Sequence, residues 1–202
     1  MGIKVAVIYY SSTGTNLVMA KQAYQSAIDA GEEAKLLKIK ETAPQEAIAG
    51  NEAWKKHIES TKDVAEVTLD DLEWADAIIF SIPTRYGNLP SQVQSFFDTT
   101  GGLWFNGKLA NKVVSGMTSA QNAHGGQETT LMSLYKTMIH WGAILAPPSY
   151  TDSVIFESGG NPYGVSVKAG KENVNDAIIA SIQHQTKRTV QVAKWVKTGL
   201  AE

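Results

Sequence analysis

The chain has no cysteine among its 202 residues. That absence excludes disulfides, thiolate nucleophiles and cysteine-ligated metals, and it is compatible with a reducing compartment. No apolar segment approaches the roughly 20 residues that span a bilayer, and no charged leader with a cleavage site precedes the first apolar segment. We therefore expect a cytoplasmic protein with no membrane partner.

The chain also has no large excess of either charge, since it contains 18 Lys and Arg residues and 20 Asp and Glu residues, for a net charge of −2. This balance gives no basis for nucleic-acid binding and provides no strongly acidic docking face. The four histidines have no metal-site spacing, so we expect no bound metal. A hydrophobic content of 43% over this length fits one domain covering residues 1–202.

Short apolar, β-branched segments alternate with amphipathic helical ones along the chain. Such alternation predicts an α/β fold, a doubly wound five-stranded parallel sheet with helices on both faces. Residues 41–62 and 147–172 are expected to be long connections, the first with a short helix near residues 46–57. The predicted strands are 3–10, 34–39, 75–82, 113–117 and 143–146, and the predicted helices are 16–30, 69–72, 91–99, 128–141 and 173–197, the last with Ile178, Ile182, Val192 and Trp195 in the core.

The first predicted loop, residues 11–16, lies between a buried strand and a helix N-terminus. Ligands of parallel α/β sheets bind at the carboxyl ends of the strands, and free N–H groups at a helix start favour an anion. The loop lacks the glycines of a dinucleotide fingerprint and the lysine of a triphosphate loop, so a compact monophosphate held by neutral donors fits best. The alternative is a turn that only caps the helix. The predicted contacts are Ser11, Ser12, Thr13, Gly14, Thr15 and Asn16.

The second predicted loop runs from Pro83 to Pro90 and contains Thr84, Arg85, Tyr86, Gly87 and Asn88. Tyr86 is suited to pack against a flat, partly apolar ring such as a flavin, and the backbone at Gly87 can approach the edge of that ring. Arg85 would stabilise an anionic reduced ring or attract the phosphates of a nicotinamide nucleotide. The alternative is a plain surface turn.

A third polar loop, residues 118–128, offers a second face for the ring, although residues 125–128 also fit an ordinary helix start. Trp104 would line a pocket for a flat substrate or pack in the core, and Phe105 is expected in the core. Of the four histidines, His140 has the best case for a functional role. The predicted contacts in the third loop are Ser119, Ala120, Gln121, Asn122 and Gly125.

Several motifs together resemble the WrbA-type FMN-dependent NAD(P)H:quinone oxidoreductases. The resemblance implies a flavodoxin-like fold, one non-covalent FMN per subunit, a homotetramer, and two-electron reduction of quinones by NADH or NADPH. By position it places the FMN phosphate at residues 11–16, the ring beside residues 84–86 and 119–121, His140 near the flavin, and Trp104 against the substrate. Residues 12–15 depart from the family's usual Met-Tyr-Gly-His. The motifs are residues 9–11, 83–88, 100–104, 125–128 and 159–164.

The sequence shows no pair of side chains arranged for acid–base catalysis, so we expect the flavin to perform the chemistry, with nicotinamide and quinone using one slot in turn. One alternative function is a flavodoxin-type electron carrier, which the near-neutral charge disfavours. Another is a regulatory module that binds a protein partner.

Overall fold

The computed structural model describes residues 2–201 and contains one parallel sheet. The strand order is β2-β1-β3-β4, and two short strands, β5 and β6, both lie beside β4 on its other edge. The sequence-based prediction of an α/β parallel sheet is confirmed. The strands are β1 (Lys4–Tyr9), β2 (Glu33–Lys38), β3 (Ala77–Pro83), β4 (Val113–Ala120), β5 (Ile144–Leu145) and β6 (Ser166–Lys168).

Helices cover both faces of the sheet because its central strands have no polar side. Along β1, Val5 and Val7 pack into one core with α1 and α9, whereas Ala6 and Ile8 pack into a second core with α4, α5 and α7. Burial on both faces excludes an exposed sheet surface here. The helices are α1 (Thr15–Asp29), α2 (Gln45–Ala49), α3 (Glu52–Ser60), α4 (Leu69–Trp74), α5 (Ser91–Asp98), α6 (Gly101–Phe105), α7 (Gln127–His140), α8 (Val154–Glu157) and α9 (Asp176–Gly199).

The fifth position of the sheet is shared by β5 and β6. β5 pairs with the first two residues of β4, and β6 pairs with its last three, Thr118–Ala120. The prediction that residues 147–172 are a loop is therefore wrong, because this segment contains α8, β6 and a 3₁₀ turn at Lys171–Asn173. A strand of three residues is too short for periodicity to reveal. β6 brings the chain back to the carboxyl ends of the strands, where the Gly170 N–H donates to Thr15 Oγ1 at 2.9 Å.

Other differences from the sequence-based predictions are local. β4 continues to Ala120, so Ser119 lies in a strand, and residues 41–62 form two helices, α2 and α3. Phe105 and Trp195 are 82% and 62% exposed, so their predicted places in the core are wrong. Within residues 2–201, no helix combines the length and the apolar character needed to cross a bilayer.

Candidate functional site

A cavity of about 530 Å³ opens at the carboxyl ends of β1, β3 and β4. This volume lies in the range of about 300–1,000 Å³ that small-molecule and cofactor sites occupy. The three loops predicted from the sequence converge on it, joined by two residues that the sequence did not indicate, Asn51 and Ala169. Its lining is Ser11, Ser12, Thr13, Thr15, Asn16, Asn51, Pro83, Thr84, Arg85, Tyr86, Ser119, Ala120, Gln121, Asn122, Gly125 and Ala169.

The first loop has the geometry of an anion-binding helix start. Gly14 has a φ of +103°, forms the N-cap of α1 and donates its N–H to Ser11 Oγ at 2.8 Å. Thr13 is exposed beside it, and Thr15 Oγ1 accepts from Gly170 and so keeps its own proton for a further acceptor. The first N–H groups of a helix have no partners inside it, so they add donors at the same point.

Asn16 and Ser119 line the cavity, but their side chains already have partners. Asn16 Oδ1 accepts from Ser119 Oγ at 2.6 Å, and its Nδ2 donates to Ser81 Oγ at 3.3 Å. Ser81 Oγ in turn donates to the Asn16 carbonyl at 2.8 Å. These buried contacts tie α1 to β3 and β4, which leaves mainly the backbone of Asn16 for a ligand.

The second loop is a tight hairpin turn that holds Tyr86 in an unusual conformation. Arg85 and Asn88 exchange backbone hydrogen bonds of 2.8 and 2.9 Å, while Tyr86 and Gly87 have φ values of +52° and +75°. Positive φ at both central residues defines a type I′ turn. Thr84 Oγ1 accepts from the Gly87 N–H at 3.1 Å, which fixes the turn.

Tyr86 is strained and its side chain is fully exposed. A side chain with a Cβ costs about 1–2 kcal/mol in the left-handed region, and such outliers cluster at functional sites. No core packing offsets this cost, because the ring stands free at the rim of the cavity. The turn therefore presents an aromatic surface at the rim of the cavity.

The first loop has no cation of its own, but the fold supplies one. Arg85 Nη2 donates to Ser12 Oγ at 2.8 Å, so a guanidinium from the second loop lies beside the neutral donors of the first loop. Ser12 Oγ also lies 3.5 Å from the Tyr10 hydroxyl, which donates to Glu41 at 3.0 Å. Burial raises the pKa of Tyr10 far above its ordinary value, so this hydroxyl keeps its proton.

Glu41 explains how Asn51 reaches the cavity. Its carboxylate accepts from Tyr10, from the Trp54 indole at 3.0 Å and from the Gln92 amide at 2.8 Å. It thereby fastens α3 and α5 to the end of β1. Asn51 forms the N-cap of α3, where its side chain accepts from the Trp54 N–H. Because α3 is held in this position, Asn51 lines the cavity. The only local sequence signal for Asn51 was a helix-capping residue type.

The structure separates some predicted site residues from this cavity. Asn88 and His140 line a different groove, of about 520 Å³, between α5 and α7. The Trp104 indole lies beside that groove and donates to the His140 carbonyl at 2.8 Å. Gly14 and Gly87 shape the two turns and do not line the cavity. The geometry thus supports direct cofactor contacts for most of the predicted residues, but not for Asn88 or His140.

Comparisons with known proteins identify the family of the chain. Residues 3–153 match the family described as NADPH-dependent FMN reductase. A protein named NAD(P)H dehydrogenase (quinone) from Deinococcus radiodurans is 57% identical over 190 residues, which cover 94% of this chain and 95% of that protein. One of the same name from Caulobacter vibrioides is 39% identical over 83% of each chain. A flavodoxin, WrbA-like protein from Agrobacterium tumefaciens has a TM-score of 0.68 at 21% identity, covering 96% of this chain and 99% of that one, so the fold is flavodoxin-like.

Proposed function

Because this chain belongs to the NADPH-dependent FMN reductase family and is 57% identical to an NAD(P)H dehydrogenase (quinone), we propose that it reduces quinones with NADH or NADPH through bound FMN. The observation that carries this proposal is one cavity that combines a helix-start anion loop with a strained, exposed tyrosine. The first feature suits a phosphate and the second a flat ring, and FMN has both.

When bound, FMN would supply the hydride-transfer chemistry between the nicotinamide nucleotide and the quinone, with the accompanying proton taken from solvent. The protein would hold the cofactor through two sets of residues: Ser11, Ser12, Thr13 and Thr15 would surround the phosphate, and Tyr86 with residues 119–122 would border the ring. Arg85 lines the same cavity and donates to Ser12 Oγ, so it brings a positive charge to the first loop. It would attract the phosphates of the nicotinamide nucleotide or stabilise negative charge on the reduced ring.

No aspartate, glutamate or histidine is among the cavity-lining residues of the described chain, 2–201. The cavity therefore offers no carboxylate or imidazole to transfer a proton during turnover. This composition fits a reaction in which hydride transfer between two flat molecules is the central step.

The visible spectrum of the purified protein tests the proposed function. We expect twin flavin bands that bleach on addition of NADH or NADPH and return on addition of benzoquinone. Steady-state double-reciprocal plots at several quinone concentrations should be parallel, as a shared slot requires. A protein that binds FMN but oxidises NAD(P)H very slowly would instead be an electron carrier, and intersecting lines would reject the shared slot.

Thr13→Ala tests the phosphate site at its most accessible hydroxyl. Loss of one neutral hydrogen bond should cost about 0.5–1.5 kcal/mol of FMN binding, and riboflavin, which lacks the phosphate, should bind as before. Thr13 is preferred to Thr15 for this test, because the Thr15 hydroxyl also accepts from the Gly170 N–H and its loss would disturb the loop. Isothermal titration of the apoprotein with both flavins makes the measurement. Unchanged FMN affinity would mean that the phosphate lies elsewhere.

The proposal includes a homotetramer in which Trp104 contacts the substrate. Its support is the set of exposed apolar side chains on α6, α7 and α8, because such surfaces are typical of interfaces. Light scattering coupled to size exclusion measures the assembly, and a monomer would contradict it. The cytoplasmic location expected from the sequence stays a prediction. The exposed side chains are Trp104, Phe105, Met132, Ile139 and Phe156.

A further inference from the structure

Two residues from distant parts of the chain meet at Gly14. Lys171 follows β6, and His57 lies in α3, yet both approach the side of Gly14 where other residues carry a Cβ. A Cβ built there would contact Lys171 Cε, with Lys171 Nζ at 3.0 Å and His57 Nδ1 at 3.4 Å. The φ of +103° favours glycine at this position, and the missing Cβ leaves room for both side chains.

His57 is buried without a hydrogen-bond partner for one of its nitrogens. Its side chain is 5% exposed, and Nδ1 has no partner among the described residues. Burial, reinforced by the charge of Lys171, lowers the pKa of His57 to about 4, so the imidazole is neutral at pH 7. A buried polar atom without a partner is uncommon in a folded protein, and here it faces the start of α1.

Lys171 is an exposed cation with no ion-pair partner within the part of the chain that the structure describes. A phosphate monoester carries a charge of about −1.5 to −2 at pH 7. A lysine ammonium and a phosphate attract each other strongly when little water lies between them. The neutral imidazole of His57 adds a polar neighbour that does not repel the ammonium.

We propose that Lys171 supplies a second cation, in addition to Arg85, to the FMN phosphate at the start of α1, and that the neutral imidazole of His57 lies behind Gly14 on the same side of the first loop. This inference rests on the proposed function, since it assumes that FMN occupies the cavity. It changes the character of the site, because the first loop then has a cation from the segment after β6 as well as Arg85 from the second loop. FMN affinity then depends on salt, and on the docking of that segment through Gly170 and Thr15.

Lys171→Met tests the proposal by comparing two flavins that differ only in the phosphate. The apoprotein of each variant is titrated with FMN and with riboflavin, at low and at high ionic strength. Lys171→Met should weaken FMN binding about tenfold, leave riboflavin binding unchanged and reduce the salt dependence of FMN binding. Lys171→Arg should retain most of the affinity. Lys168→Met is the matched control, since Lys168 is equally exposed in β6 but lines a different groove, and its affinities should stay at wild-type values.

The outcomes separate this inference from the proposed function. Unchanged FMN affinity in Lys171→Met, or equal weakening for FMN and riboflavin, would overturn the role of Lys171 while leaving the cofactor proposal intact. A wild-type protein that binds neither flavin would contradict the proposed function itself. Thermal unfolding of the variant apoprotein checks the fold, which the loss of an exposed lysine should not alter.

Discussion

Tyr86→Asn should stabilise the apoprotein by about 1 kcal/mol and weaken FMN binding at least tenfold. The two effects have opposite signs because the Tyr86 ring is expected to stack on the flavin, whereas its backbone conformation destabilises the folded protein. Its φ of +52° is unfavourable for a bulky side chain, whereas Asn tolerates the left-handed region. Followed by Gly87, Asn would give the pair that type I′ turns prefer. Stacking of one aromatic ring against a base contributes about 1–3 kcal/mol, and the same range is expected against the flavin.

Urea unfolding of the apoprotein and flavin titration measure the two effects separately. Tyr86→Phe is the control, because it keeps both the ring and the strain and should behave like the wild type in each measurement. Riboflavin binding should weaken as much as FMN binding, since Tyr86 contacts the ring and not the phosphate. Unchanged flavin affinity in Tyr86→Asn would show that the exposed aromatic has another purpose.

The parts of the site that the sequence predicted are those whose geometry is set locally. Each of the first two loops directly follows a strand buried on both faces, and parallel strands bring their carboxyl ends together. Residues 11–13, Thr15 and residues 84–86 therefore reach one cavity. The type I′ turn is also local. The sequence around Tyr86 does not predict it, however, because the first left-handed position is occupied by tyrosine and not by the usual Asn.

Residues that reach the site through long-range contacts were missed. Asn51 depends on Glu41, which collects hydrogen bonds from three separate segments, and Lys171 depends on the three-residue pairing of β6 with β4. The pairing of β6 with β4 also brings Ala169 to the cavity wall, and neither arrangement leaves a periodic pattern in the sequence. The predicted burial of Phe105 and Trp195 was wrong for a related reason. An apolar residue on a helix can lie in the core or at the surface, and its type alone does not distinguish the two.

Acid should destabilise the apoprotein between pH 6.5 and pH 4 through His57. Its pKa is about 4 in the folded protein, against 6.5 for an unperturbed histidine, because burial and the neighbouring Lys171 disfavour the imidazolium. The unfolded state binds more protons in this interval, so stability is complete above pH 6.5 and falls as the pH approaches 4. The loss between pH 7 and pH 5 should be about 1–2 kcal/mol from this residue.

His57→Phe isolates this contribution, because phenylalanine keeps a flat ring at position 57 but does not titrate. The larger ring has room, since His57 borders a cavity of about 270 Å³. The quantity to compare is the change in unfolding free energy between pH 7 and pH 5, in which any packing cost cancels. That change should shrink by about 1–2 kcal/mol in His57→Phe and stay at the wild-type value in His124→Gln, whose histidine is exposed. Equal pH dependence in the two variants would show that His57 is protonated in the folded protein as readily as in the unfolded chain, and that its burial beside Lys171 has no electrostatic consequence.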